Sequence, residues 1–128
     1  KKMNNLLDGL DHVTVITNNL EITKNFYIKV LGMQIDKNRP PFKFDGIWLS
    51  LNKRAVVHII VKDKHEINET IIPTLDHIAF RAIDMDSIIR NLLKYDISYE
   101  EKTTPDNKIS QIFIKDPNGI KIELSKSL

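Results

Sequence analysis

The chain repeats itself, and the repeat limits what it can fold into. Leu10-Asp11-His12 returns as Leu75-Asp76-His77, 65 residues on. The same step carries His58 onto Glu123, so His12 to His58 and His77 to Glu123 each span 46 residues. Shifted by 65 without a gap, Lys37 meets Lys102, Pro40 meets Pro105, Lys43 meets Lys108 and Ile47 meets Ile112. Trp48 meets Phe113, and Val57 meets Ile122. Two copies are too few for a solenoid, in which about three stacked units are needed to bury a core. A duplicated α/β module is the simpler reading.

Bulk properties exclude several classes of function. The 128 residues are 41% hydrophobic, enough for one compact domain or two closely joined halves. The net charge is +2, the lysines are scattered and aromatic residues make up 7%, so nothing resembles a nucleic-acid surface. Cysteine is absent, which removes disulfides and thiolate metal sites and agrees with a cytoplasmic protein. No apolar run approaches the roughly 20 residues of a membrane span, and no secretory leader is visible. The expected partner is a small-molecule substrate, with neither nucleic acid nor membrane involved.

Residues 1–9 are polar and read as loose. Residues 11–17 (DHVTVIT) are rich in β-branched side chains and predict a strand. Asn18-Asn19 offers a helix cap ahead of Leu20, Phe26, Tyr27, Val30 and Leu31, and Gly32 a C-terminal stop. Phe26 and Tyr27 are expected in the core between helix and sheet. Strands are predicted near 33–38, 44–51 and 55–61. Residues 62–74 are charged, aperiodic and end near Pro73, as a linker would. In the second copy LDHIAFRA reads as a strand. Asp84 caps a helix carrying Met85, Ile88, Ile89, Leu92 and Leu93. Strands follow near 97–102, 109–115 and 119–125, the last two joined by the turn Asp116-Pro117-Asn118-Gly119. The expected organisation is a first βαβββ module over 9–61, a linker over 62–74 and a second module over 75–126. The fold class is α+β, the modules pairing into a cupped, partly open eight-stranded sheet.

Strand alternation then sorts side chains onto faces. Val57 and Ile59, and likewise Ile122 and Leu124, should pack under the helices. His58 and Glu123 fall on the opposite face, together with His12 and His77. Three imidazoles and one carboxylate on the open face, obeying one internal symmetry, suit a divalent ion such as Zn, Ni, Fe, Mn or Co. Four protein ligands on an octahedral ion leave two positions for a substrate with oxygens on neighbouring carbons, which the ion would activate as a Lewis acid.

The stretches LDHVTV, NFYIKVLGM (25–33), LDHIAFRA and IFIKDPNGIKIEL (112–124) resemble the vicinal oxygen chelate superfamily, also called the glyoxalase/bleomycin resistance/dioxygenase superfamily. The resemblance runs over about residues 9–126. It implies paired βαβββ modules, a metal in the cup between them, ligands at His12, His58, His77 and Glu123, and a homodimer. One departure is informative. Glyoxalase I-like enzymes usually carry a carboxylate at the position of His58, so here only Glu123 could double as ligand and catalytic base. With one carboxylate instead of two the site is more positive, and anionic chelates are favoured.

Substrate contacts are expected from Arg81, Trp48 and Phe113. Arg81 lies four residues along the strand from His77, roughly 13 Å, and would meet a distal anion. Trp48 and Phe113 would line the cup wall. Tyr99 and Lys121 are weaker candidates. The leading functional expectation is a metal-dependent lyase or isomerase of the glyoxalase type. An Fe(II) extradiol-type dioxygenase using His12, His77 and Glu123, a metal-free binding or antibiotic resistance protein, and a metal-dependent thiol transferase are the alternatives.

Overall fold

A computed structural model describes residues 6–128; the first five of the residues read as loose lie outside the described residues. Eight strands form two four-stranded sheets of the same order, β1-β4-β3-β2 and β5-β8-β7-β6. In the first module β1 is Val13–Thr17, α1 Leu20–Asn25, β2 Gln34–Ile35, β3 Gly46–Leu51 and β4 Arg54–Val61. In the second β5 is Ile78–Arg81, α2 Met85–Lys94, β6 Glu100–Thr103, β7 Ile109–Lys115 and β8 Lys121–Ser127. Each module is therefore βαβββ, with its first strand parallel to its last and the remaining pairs antiparallel. The 65-residue repeat holds in three dimensions. Thr14 pairs with His58 and Ala79 with Glu123, while Trp48 pairs with His58 and Phe113 with Glu123.

Local chemistry explains most boundaries. The Asn19 side chain accepts from the Ile22 amide at 3.2 Å and opens α1, and Asp84 accepts from the Ser87 amide at 3.0 Å and opens α2. Asn52 and Lys53 both take positive φ, 50° and 65°, the mirror-image turn that matches hairpin twist between β3 and β4. After α1 the chain widens into a π-helical turn over Phe26–Val30. The wider turn buries Phe26, Tyr27 and Val30 together. Strand β2 is shorter than the sequence suggests, because the Asp36 side chain turns back to accept from the Asn38 amide at 2.8 Å. Strand β6 starts at Glu100, later than expected. Asp96 adopts φ 56°, and the Ile97 amide donates to the Leu92 carbonyl at 2.8 Å, which finishes α2 instead of starting a strand.

One core serves both modules. Val15, Leu49, Val57 and Ile59 from the first sheet join Tyr27, Leu92, Ile112, Ile122 and Leu124, and the π-turn packs on α2. Polar ties cross the same boundary. The Tyr27 hydroxyl donates to Asp116 Oδ2 at 2.7 Å, Asn118 Nδ2 to Thr23 Oγ1 at 3.0 Å, and Asn91 Nδ2 to the Val30 carbonyl at 3.0 Å. Burial and the adjacent Asp116 push the Tyr27 hydroxyl far above the ordinary phenol range, so it stays a donor. The π-turn of the first module and α2 of the second thus pack together, and His58 and Glu123 lie on the sheet faces opposite the core. No helix among the described residues is long and apolar enough to cross a membrane.

Candidate functional site

On the uncovered face of the first sheet three rings stack. His12 lies over His58 with centroids 3.8 Å apart and planes 13° off parallel, and Trp48 covers the other side of His58 at 4.0 Å and 11°. The order follows from register: Trp48 sits opposite His58 on β3, and His12 enters from just ahead of β1. Burial, reinforced by the neighbouring His12, holds His58 below the usual imidazole range and keeps it neutral. Its Nε2 stands 3.2 Å from the Ala55 carbonyl.

The second module places His77 Nε2 3.3 Å from Glu123 Oε1. Gln111 Nε2 donates to the other carboxylate oxygen at 3.3 Å. Phe113, opposite Glu123, carries a lysine ammonium on either side: Lys102 Nζ lies 5.5 Å and Lys121 Nζ 5.3 Å from its ring centre. Lys121 also reaches Asp76 Oδ2 at 3.5 Å.

Each leading histidine is held by the residue before it. His12 Nδ1 meets Asp11 Oδ2 at 2.6 Å, and His77 Nδ1 meets Asp76 Oδ2 at 2.7 Å. These contacts, first among the causes, lower both aspartates below the ordinary carboxylate range, so they remain acceptors. A carboxylate on Nδ1 leaves the Nε2 lone pair free to ligate. The sequence reading missed Asp11, Asp76 and Gln111. The signal for the aspartates was present, since the repeated unit is Leu-Asp-His.

The ligand chemistry fits a divalent ion. Two ligands at right angles about 2.1 Å from one ion stand about 3 Å apart, close to the His77–Glu123 separation. The first pair is arranged otherwise. Ligating lone pairs lie in the ring plane, and near-parallel planes 3.8 Å apart do not converge on one ion, so one ring must leave the stack to ligate beside the other. Among the described residues no group of three or more His, Cys, Asp or Glu side chains is placed to hold a metal ion. The four expected ligands therefore come together as two pairs, one per module. Arg81 lines a groove of about 550 Å³ together with Met33 and Lys53 of the first module. Tyr99 packs on the core and lines a second groove beside Phe113.

Comparison with known proteins agrees with this architecture. The glyoxalase/bleomycin resistance protein/dioxygenase superfamily model matches residues 9–124, and the chain belongs to that superfamily. The superfamily includes fosfomycin resistance proteins and dioxygenases besides glyoxalases, and its members commonly use divalent metal ions and often form dimers. The chain is 28% identical over 123 residues to Glyoxylase I 4 of Arabidopsis thaliana, covering 92% of this chain and 70% of that one. A glyoxalase family protein from Bacillus anthracis superposes with a TM-score of 0.77 at 25% identity, over 98% of this chain and 100% of the other. The fold is shared with the fosfomycin resistance protein FosX of Listeria monocytogenes, with a TM-score of 0.74 at 17% identity over 96% of each chain.

Proposed function

We propose that the protein is a divalent-metal-dependent lyase or isomerase of the glyoxalase type, working in the cytoplasm as a homodimer on a small substrate that chelates through vicinal oxygens. The observation that carries the reading is the pair of aspartate-held imidazoles at equivalent places, Asp11–His12 and Asp76–His77, with Glu123 beside the second. His12, His58, His77 and Glu123 would hold the ion, which supplies Lewis acidity when bound. Glu123 Oε2, steadied by Gln111, is the atom to take and return a substrate proton. Trp48 and Phe113 would flank the substrate, and Arg81 would meet an anionic group far from the ion.

The cup belongs between two chains. The candidate ligands lie on the faces opposite the shared core, and among the described residues they do not gather into one group of three or more. β1 and β5 stand at sheet edges, and just ahead of them Leu10 is 78% and Leu75 73% exposed, apolar surface that a second copy would cover. One observation favours a metal-free binding protein instead: the parallel His12–His58 stack is not a ligating arrangement.

Hybrid dimers test both points. One chain carries His12→Ala with His58→Ala, the other His77→Ala with Glu123→Ala. A cup shared between chains leaves one intact site per hybrid, so elemental analysis should find one ion per hybrid dimer, two per wild-type dimer and none in either parent. A hybrid as empty as its parents would sink the shared cup. Wild-type protein that holds no ion without ever meeting a chelator would sink the metal enzyme.

A further inference from the structure

The ring stack does not end at Trp48. The connection from β2 to β3 carries Phe42 and Phe44, stacked at 4.9 Å and 14°, and Phe42 lies 6.4 Å from Trp48 at a 49° tilt. Arg39 sits over both phenylalanines, its guanidinium carbon 5.2 Å from one ring centre and 5.4 Å from the other. A single ladder of rings thus runs from His12 to a cation. Its inner steps, 3.8 and 4.0 Å, are parallel stacks, whereas the Phe42–Trp48 step is a tilted contact that leaves part of the Phe42 ring exposed.

The connection is built to hold this shape. Pro40-Pro41 stiffens it, the Phe42 amide donates to the Pro40 carbonyl at 2.8 Å, and Arg39 Nη2 donates to the Phe44 carbonyl at 2.8 Å. Gly46 lets it close on β4: a Cβ there would collide with the Ile59 carbonyl and stand 3.2 Å from Arg39 Nη2. Yet the rings are left unspent. Phe42 is 43% and Phe44 45% exposed, and among the described residues no carboxylate lies within salt-bridge distance of Arg39. An exposed aromatic wall ending in a guanidinium that has no carboxylate partner among the described residues complements a planar anion.

The geometry points to a recognition subsite for a planar aromatic or conjugated carboxylate, its ring against Phe42 and Trp48 and its carboxylate on Arg39. This deepens the reading above by naming the substrate class of the same face. The outer rungs favour an extended molecule over a three-carbon oxoacid, because a ligand must reach past the Phe42 ring to touch both Trp48 and Arg39.

Trp48 is the chain's one tryptophan, so its fluorescence reports on the ladder directly. The test titrates the dimeric protein, with and without metal, against trans-cinnamate, the neutral cinnamamide and the non-planar 3-cyclohexylpropanoate. Cinnamate should perturb Trp48 saturably, and 3-cyclohexylpropanoate far less. Arg39→Gln should weaken cinnamate at least about tenfold, the loss of one charge-assisted contact, while leaving cinnamamide unchanged. Arg39→Lys should recover part of the loss. Phe42→Leu should weaken both planar ligands roughly two- to tenfold. Cinnamate affinity untouched by Arg39→Gln would overturn the subsite. So would a shift to monomer in Phe42→Leu, which would mark the ladder as a surface between copies. Neither readout requires a bound ion or turnover, so a protein without metal could still pass, and a metal enzyme could still fail.

Discussion

The two modules share a register and differ in what they place on it. Opposite an aromatic residue on the third strand, the first module sets a neutral imidazole (His58) and the second a carboxylate (Glu123). Around His58 the neighbours are rings, with Trp48 and His12 closing both faces. Around Glu123 they are polar: His77, Gln111 and, over Phe113, two lysines. A duplicated scaffold thus carries an aromatic cluster on one half and a charged, polar cluster on the other. The first pair must reorganise to ligate, whereas the second already stands at ligand spacing.

Where the modules meet, the same asymmetry appears in the core. Leu92 occupies the position of Tyr27 one repeat later, and both are fully buried. Leu92 contributes volume only, so Leu92→Ala should cost about 2–5 kcal/mol through lost burial and a residual cavity. Tyr27→Phe keeps the ring but leaves Asp116 one donor short, and should cost about 1–3 kcal/mol. Thermal melts of the two variants test the ranking; a Tyr27→Phe protein as stable as wild type would show that the Asp116 tie is structurally idle.

The next effect separates the half-sites. Asp76→Asn removes the carboxylate that orients His77, and metal affinity should fall about 10- to 100-fold. Asp11→Asn should do less, because His12 must leave its stack to ligate. Competition with a coloured chelator measures both, and equal losses would erase the distinction drawn between the pairs.

A smaller effect concerns pH. Because the folded state holds His58 below its unfolded value, about 6.5, folding favours the neutral ring. Its contribution to stability is complete above that pH and is lost as pH falls through the depressed folded value. The melting temperature should therefore drop more between pH 7.5 and 5 in wild type than in His58→Gln. The opposite slope would contradict the burial of that ring. The smallest change is Lys102→Ala beside Phe113, worth about 0.5–1 kcal/mol at an exposed cation–π contact.

Much of this was legible in the chain. Asn19 and Asp84 announced their helices by type and position, and alternation put His58 and Glu123 on the uncovered face while Val57, Ile59, Ile122 and Leu124 went under the helices. The π-turn was not legible, because it answers to how Tyr27 must reach Asp116, 89 residues away. Asp11 and Asp76 were overlooked although they belong to the repeated triplet, since an acidic residue before a histidine acquires meaning only when its carboxylate swings onto Nδ1.

Residue order by itself determined the duplication, most of the element sequence and the side of each sheet on which His58 and Glu123 fall, because caps and a two-residue alternation act over a few neighbours. Tertiary structure alone decided that the two helical layers share one core. Strand pairing within the first sheet stacks Trp48, His58 and His12 into one column. Those outcomes depend on contacts between residues tens of positions apart, whose free energies no local pattern records.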